Sequence, residues 1–220
     1  ITPPSKQHIV EYAELPHCPE NQIRDLLSKL VVLKLNGGLG TTMGCKGPKS
    51  VIEVREDSTF LDLTVRQIEW LNDTYDVDVP LVLMNSFNTD KETAEVIRKY
   101  SNHNVTVLMF NQKRHPRIYK DTLLPMPISA DPDKIELGSW NPPGHGDVYD
   151  SFRNSPLWDD LRKNGKEFLF IANVDNLGAT IDLGEWFALC CLAHSPENSS
   201  AMQKLTVVAA AGSSSIVQTS

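Results

Sequence analysis

The apolar positions of this chain fall into helical and strand periods that alternate along its first 180 residues. Residues 20–30 place Ile23, Leu26, Leu27 and Leu30 on one face with charges between them, which predicts an amphipathic helix running into a strand at residues 31–35. Thr59 with Asp62 three residues later predicts a capped helix whose inner face is Leu61, Val65, Ile68 and Leu71. Residues 81–84 read as a short buried strand. Thr89 and Glu92 predict a second capping box, at the head of a helix reaching Tyr100. Further strands are expected at residues 105–110 and 168–174. Strands and helices in this alternation imply a parallel sheet with right-handed crossovers, and such sheets hold ligands beyond the carboxyl ends of their strands. Two polar segments fall at such ends: a glycine-rich run after Leu35 and the segment Asn173-Val174-Asp175-Asn176.

Elsewhere the periodicity fails in two different ways. Between Phe110 and Phe168 seven prolines, from Pro116 to Pro156, interrupt any long element. A loop-rich stretch of that length inside a compact domain is usually functional, and Trp140, Pro142, Pro143, Gly144, His145, Gly146 and Asp147 are too specialised for a linker. Residues 184–220 are rich in serine and alanine around two apolar patches, 186–192 and 205–211. That composition predicts a partly ordered or disordered terminus. The expected organisation is a helical lead-in at 1–30, a nucleotide-binding domain at 31–183 and a divergent low-complexity tail at 184–220.

Composition narrows the ligand. A chain of 220 residues buries about 70% of its unfolded surface, enough for one substantial core. A formal charge of −7 and no long basic stretch argue against a nucleic-acid polymer as partner. An anionic ligand must then be held locally, by loop amides, single lysines and a divalent metal. The cysteines Cys18, Cys45, Cys190 and Cys191 form no C-x-x-C pair, which suits a reducing compartment. No apolar run of 18 residues is present, so no membrane association and a cytoplasmic location are expected.

The glycine-rich run carries the chemistry. Gly37-Gly38-Leu39-Gly40, then Gly44, then Gly47-Pro48-Lys49 follows an apolar strand. Glycines allow backbone N–H groups to converge on phosphate oxygens, and a lysine adds a cation that follows their charge. The spacing excludes a Walker A loop, which requires Gly-Lys-Ser/Thr, and fits poorly to the Gly-x-Gly-x-x-Gly dinucleotide fingerprint. Pro48 presets its own φ and biases Gly47 to extended geometry, which aims Lys49 back over the loop. Lys46 lies in the same loop. Asp175, at the end of an apolar strand, is a candidate metal ligand facing the same phosphates, the alternative being an Asx turn or helix cap. Asn173 can offer its amide to a sugar hydroxyl. His145, between two glycines, has room for a ligand, and Gln112 can read a base edge.

Residues 33–50, 83–89, 110–112, 142–148 and 173–180 together resemble the eukaryotic UTP–glucose-1-phosphate uridylyltransferases, over roughly residues 8 to 183. The resemblance implies an α/β, Rossmann-like nucleotidyltransferase domain with a mostly parallel sheet, incomplete at its C-terminal side. It implies a reversible, Mg2+-dependent reaction of UTP with glucose 1-phosphate to give UDP-glucose and pyrophosphate. It also implies roles: Leu35, Asn36, Gly37 and Gly38 at the nucleotide, Gly37 and Gly38 also at the substrate, and Lys49 as the catalytic cation on the phosphates. Gln112 and Gly144 would contact the uracil, His145 and Asn173 the glucose phosphate, and Asp175 the nucleotide phosphates and the metal. The family continues with a second phosphate-binding lysine and a C-terminal oligomerisation region, which residues 184–220 do not resemble. The alternative expectation is therefore a truncated nucleotide-binding form with little or no turnover.

Overall fold

The computed structural model describes residues 12–15, 17–40, 44, 47–126, 137–193 and 206–209. Thr41, Thr42, Met43, Cys45 and Lys46 of the glycine-rich run, and most of 194–220, lie outside the described residues. The first helix, α1 (Glu20–Ser28), buries Ile23 and Leu27 and hands over to strand β1 (Leu30–Leu35). A small hairpin, β2 (Glu53–Arg55) with β3 (Ser58–Thr59), precedes α2 (Phe60–Tyr75). The capping box predicted there is formed: Thr59 Oγ1 accepts from Asp62 N–H at 3.2 Å while Asp62 Oδ2 accepts from Thr59 N–H at 2.9 Å.

Strand β4 (Leu81–Asn85) leads to α3 (Asp90–Val96), which tightens into a 3-10 turn at Ile97–Tyr100. The second predicted capping box does not form. Thr89 Oγ1 instead accepts from Ser86 N–H at 3.0 Å and donates to the Ser86 carbonyl at 3.4 Å, a local turn that takes the hydroxyl from the helix. Then come β5 (Val107–Asn111), the short pair β6 (His115–Pro116) and β7 (Trp140–Asn141), α4 (Val148–Arg153) and α5 (Pro156–Lys163). Strand β8 (Phe168–Asn173), α6 (Leu183–Ala193) and β9 (Thr206–Ala209) follow.

The main sheet is five-stranded in the order β5-β4-β1-β8-β9, and every pairing in it is parallel. Alternate residues divide into two cores. Leu30 and Val32 of β1, Leu81 and Leu83 of β4 and Phe168 and Phe170 of β8 face α1, α2 and α6. Val31, Leu33, Val82, Met84, Leu169 and Ile171 face α4 and α5. Both faces are covered, which is why the strands read as continuous apolar runs.

The terminus, expected to be partly ordered or disordered, carries a helix and a strand in its described parts. Trp186 and Cys190 of α6 are buried, with the Trp186 ring edge-on to Phe168 at 5.0 Å, and β9 pairs with β8 from Phe168↔Thr206 to Ile171↔Ala209. An apolar helix and a four-residue strand are enough to extend that side of the sheet, and average composition concealed both. No helix among the described residues is long and apolar enough to cross a membrane.

Candidate functional site

Counting only the strands of the main sheet in chain order, their spatial order is 3-2-1-4-5, so the direction of winding reverses between β1 and β8. The crossover leaving β1 runs over one face with α2 and the one entering β8 comes over the other with α4 and α5, and at such a point a crevice forms at the carboxyl ends of the two strands. The loops after β1 and β8 both empty into it.

The loop after β1 folds back on itself. Gly40 N–H donates to the Gly47 carbonyl at 2.9 Å, Lys49 N–H donates to the Gly38 carbonyl at 3.2 Å, and Leu39 bridges Pro48 in antiparallel fashion. Pro48 sits at φ −57° and ψ 144°, turning the chain into a 3-10 turn at Lys49–Val51. The Lys49 stem lies over Gly38, its Cδ 3.9 Å from where a Cβ on that glycine would stand. Its Nζ meets Asp175 Oδ2 at 3.2 Å, both side chains about one-third exposed. A cation from the loop after β1 thus faces a carboxylate from the loop after β8.

A second cluster forms on the β4 and β5 side. Gln112, which follows β5, is buried, and its Oε1 accepts from Gly144 N–H at 3.0 Å. Its Nε2 lies only 2.0 Å from where a Cβ on Gly37 would be. Only glycine leaves room for that amide. Gly144 itself has φ +98° with ψ −162°, a region closed to side chains. Ser86 Oγ donates to the Gly37 carbonyl at 2.9 Å, holding the start of the loop to the end of β4. Asp147 fixes the Gly144 segment: its Oδ2 accepts from Lys113 N–H at 2.8 Å and from Ser151 Oγ at 2.5 Å.

Two of the expected nucleotide residues have side chains engaged within the fold. Leu35 packs against the core shared with α4 and α5, and its carbonyl accepts from Val174 N–H at 3.3 Å. Asn36 is buried, and its Nδ2 donates to Asn85 Oδ1 at 2.8 Å and to Thr93 Oγ1 at 3.0 Å. Its side chain braces the loop from behind. His145 and Asn173 are both exposed, one directly after Gly144 and the other paired in register with Leu35. Lys46 falls outside the described residues.

Among the described residues no group of three or more His, Cys, Asp or Glu gathers as a metal cage. A partly exposed carboxylate at Asp175 beside the glycine-rich loop still fits Mg2+, which is commonly held by one or two carboxylates, waters and the substrate's own phosphates.

Sequence reasoning passed over Lys34 and Ser86, and it placed Asp147 in a functional segment without giving it a role. Lys34 lies in mid-strand yet is almost wholly buried, its Nζ donating to the Ala179 carbonyl at 3.3 Å and to the Asn176 carbonyl at 3.5 Å. Burial pulls its pKa down to about 8, against the opposing pull of the Asp175 charge. The signal was a lysine inside the apolar run Leu30-Val31-Val32-Leu33-Lys34-Leu35.

Residues 1–200 match the family model for UTP–glucose-1-phosphate uridylyltransferase. The UTP–glucose-1-phosphate uridylyltransferase of Saccharomyces cerevisiae is 57% identical over 183 residues, covering 83% of this chain and 36% of the yeast protein. A Dictyostelium discoideum relative of the same name is 56% identical over 185 residues, covering 83% of this chain and 36% of its own length. Among solved structures, a UDP-glucose phosphorylase from Trypanosoma brucei superimposes with a TM-score of 0.65 at 42% identity, over 76% of this chain and 35% of that one. A mutant UDP-glucose pyrophosphorylase from Leishmania major in complex with UDP-glucose gives 0.68 at 33% identity, over 82% and 37%. The chain therefore spans about a third of the length of the curated relatives it matches. With its family model spanning the loops after β1 and β8, four of the five sheet strands and the first part of the terminus, this chain belongs to the UTP–glucose-1-phosphate uridylyltransferase family.

Proposed function

We propose that the crevice binds UTP and that the protein of which these residues form part transfers UMP from UTP to glucose 1-phosphate. A phosphate oxygen of the sugar attacks the α-phosphorus of UTP in line, the new P–O bond gives UDP-glucose, and pyrophosphate leaves with the electrons of the broken bond. Both reactants are anions, so the site must first supply cations, donors and alignment. The observation that carries this reading is the 3.2 Å meeting of Lys49 and Asp175 across the switch point of the sheet.

On this reading the amides of the Gly37–Gly40 segment cradle the phosphates while the Lys49 ammonium neutralises charge developing at the transferred group. Asp175 holds a Mg2+ that, when bound, adds positive charge at the nucleotide phosphates. Gln112, fixed by Gly144 and pressed against Gly37, presents its amide nitrogen to the uracil edge, with the Gly144 backbone beside it. His145 and Asn173, exposed and beside these groups in sequence, receive the glucose phosphate. Cys18, Cys190 and Cys191, none of them in a disulfide among the described residues, suit a cytoplasmic setting.

A second reading, nucleotide binding without turnover, draws on the chain's spanning only about a third of its relatives' length. Calorimetric titration with UTP and ATP in Mg2+, followed by a pyrophosphate-release assay with glucose 1-phosphate, separates the two. UTP binding with release supports transfer, UTP binding alone supports the second reading, and equal affinity for ATP overturns the uridine assignment.

A further inference from the structure

Beyond the bond from Val174 N–H to the Leu35 carbonyl, the loop after β8 leaves the sheet ladder, and its carbonyls must be satisfied some other way. Three are taken by side chains from beneath. Lys34 Nζ donates to the carbonyls of Ala179 at 3.3 Å and Asn176 at 3.5 Å, and Gln67 Nε2 of α2 donates to the Leu177 carbonyl at 3.1 Å. With three carbonyls turned down toward β1 and α2, the residue that opens the turn presents its side chain to the crevice, where Asp175 Oδ2 stands 3.2 Å from Lys49 Nζ. An ammonium is an expensive group to bury when a methionine would fill the same space, so its retention here points to the bonds it makes.

A comparison inside the molecule sharpens this. Lys166 is also buried and also donates to two carbonyls, those of Ser28, at 2.8 Å, and Asp78. It lies just before β8, at the amino ends of the strands, where no candidate site residue stands. Two buried lysines thus close opposite ends of the sheet, and only one lies beneath the crevice.

We propose that Lys34, with Gln67 as a second tie, is a positioning residue for Asp175, holding the 176–179 turn so that the carboxylate stands correctly for metal-bound nucleotide. The proposal rests on the nucleotide reading of the crevice. The test uses the 220-residue chain as wild type, Lys34→Met, Gln67→Leu and Lys166→Met, with two measurements. Amide hydrogen exchange across 174–180 is read without ligand, and UTP affinity is read calorimetrically with and without Mg2+.

Lys34→Met should speed exchange in 174–180 and cut the Mg2+-dependent gain in UTP affinity by about ten- to a hundredfold, the usual effect of releasing a residue that orients a metal ligand. Metal-free UTP binding should stay near wild type. Gln67→Leu should shift both readouts in the same direction by less, and it decides the matter if Lys34→Met does not fold. Lys166→Met should lower the melting temperature and move neither readout. Unchanged exchange in 174–180 with an intact Mg2+ gain overturns the proposal, as does an equal effect of Lys166→Met. A wild-type chain that binds no UTP removes the functional reading instead, while the exchange comparison, which needs no ligand, still judges Lys34.

Discussion

The two halves of the crevice are built from different materials. On one side Gln112, Gly37, Gly144 and Ser86 are joined by neutral hydrogen bonds, and Gln112 is buried. On the other, Lys49 and Asp175 face each other as charges, each about one-third open to solvent. A buried neutral network has one arrangement and discriminates by leaving a wrong partner unsatisfied. A half-exposed ion pair is worth little as a stabilising contact, but each member is free to leave the other for a phosphate or a metal. On the proposed reading, recognition falls to the rigid half and charge handling to the loose one.

The strongest way to break that comparison is Lys49→Ala, placed in a chimera that joins residues 1–183 to the remaining length of a curated relative. Loss of an oriented cation should lower pyrophosphate release by roughly a hundredfold or more, about 3 kcal/mol, with unchanged circular dichroism and UTP preference. Near-normal release would show that the charged half is a surface feature.

Gln112→Leu attacks the other half. It leaves the Gly144 N–H without its acceptor and removes the amide beside Gly37. The preference for UTP over ATP should shrink by about 1–3 kcal/mol in calorimetry, and the Mg2+ dependence should persist. A preserved preference would mean that base choice is made elsewhere.

Asp62 supplies a baseline outside both halves. Burial alone would raise its pKa, but bonds from Lys99, Thr59 and Tyr100 outweigh that and hold it well below the ordinary carboxylate range. A carboxylate depressed on folding stabilises the fold above its unfolded value and loses that contribution as pH falls through the folded one. Denaturation midpoints should therefore decline as pH drops below about 4, and Asp62→Asn should flatten that decline. At neutral pH it should cost about 1 kcal/mol through the weakened cap. A change in UTP preference in that variant would mean that the base-reading half is less independent than its hydrogen bonds imply.

The smallest expected effect is that of salt. Raising ionic strength screens the exposed charges at Lys49 and Asp175, so UTP affinity should fall a few-fold while the UTP-to-ATP ratio stays nearly constant. A ratio that falls in step with affinity would merge the two halves into one.

Legibility in the sequence followed locality. The Thr59–Asp62 box was readable because both partners sit within one helical turn. The same pattern at Thr89 misled because Ser86, three residues upstream, captured the hydroxyl, and nothing in the spacing distinguishes the two outcomes. The two loops of the candidate site, after β1 and β8, were located by their place at strand ends. That Gln112 would lie against Gly37 was not readable, since it depends on how far β5 stands from β1 in the sheet. Lys34 was hidden by the habit of assigning lysines to solvent. Helix α6 and strand β9 were lost in a composition average taken over residues whose neighbours are serine and alanine.

The central place of β1 has a consequence for how the protein is made. Leu30 pairs with Phe168 and Val32 with Leu81, so the strand that anchors the glycine loop has partners far along the chain on both sides. At a synthesis rate of about 5–20 residues per second, on the order of ten seconds pass between the appearance of β1 at the ribosome and that of β8. Throughout that interval Lys49 has no Asp175 to face, and the apolar edge of β1 that β8 will cover is open to other chains. Parallel pairings of such sequence separation also form slowly once the strands are present. The crevice thus cannot close until β8 has joined β1, and a nascent chain stalled before Phe168 would carry the glycine loop with nothing to complete it.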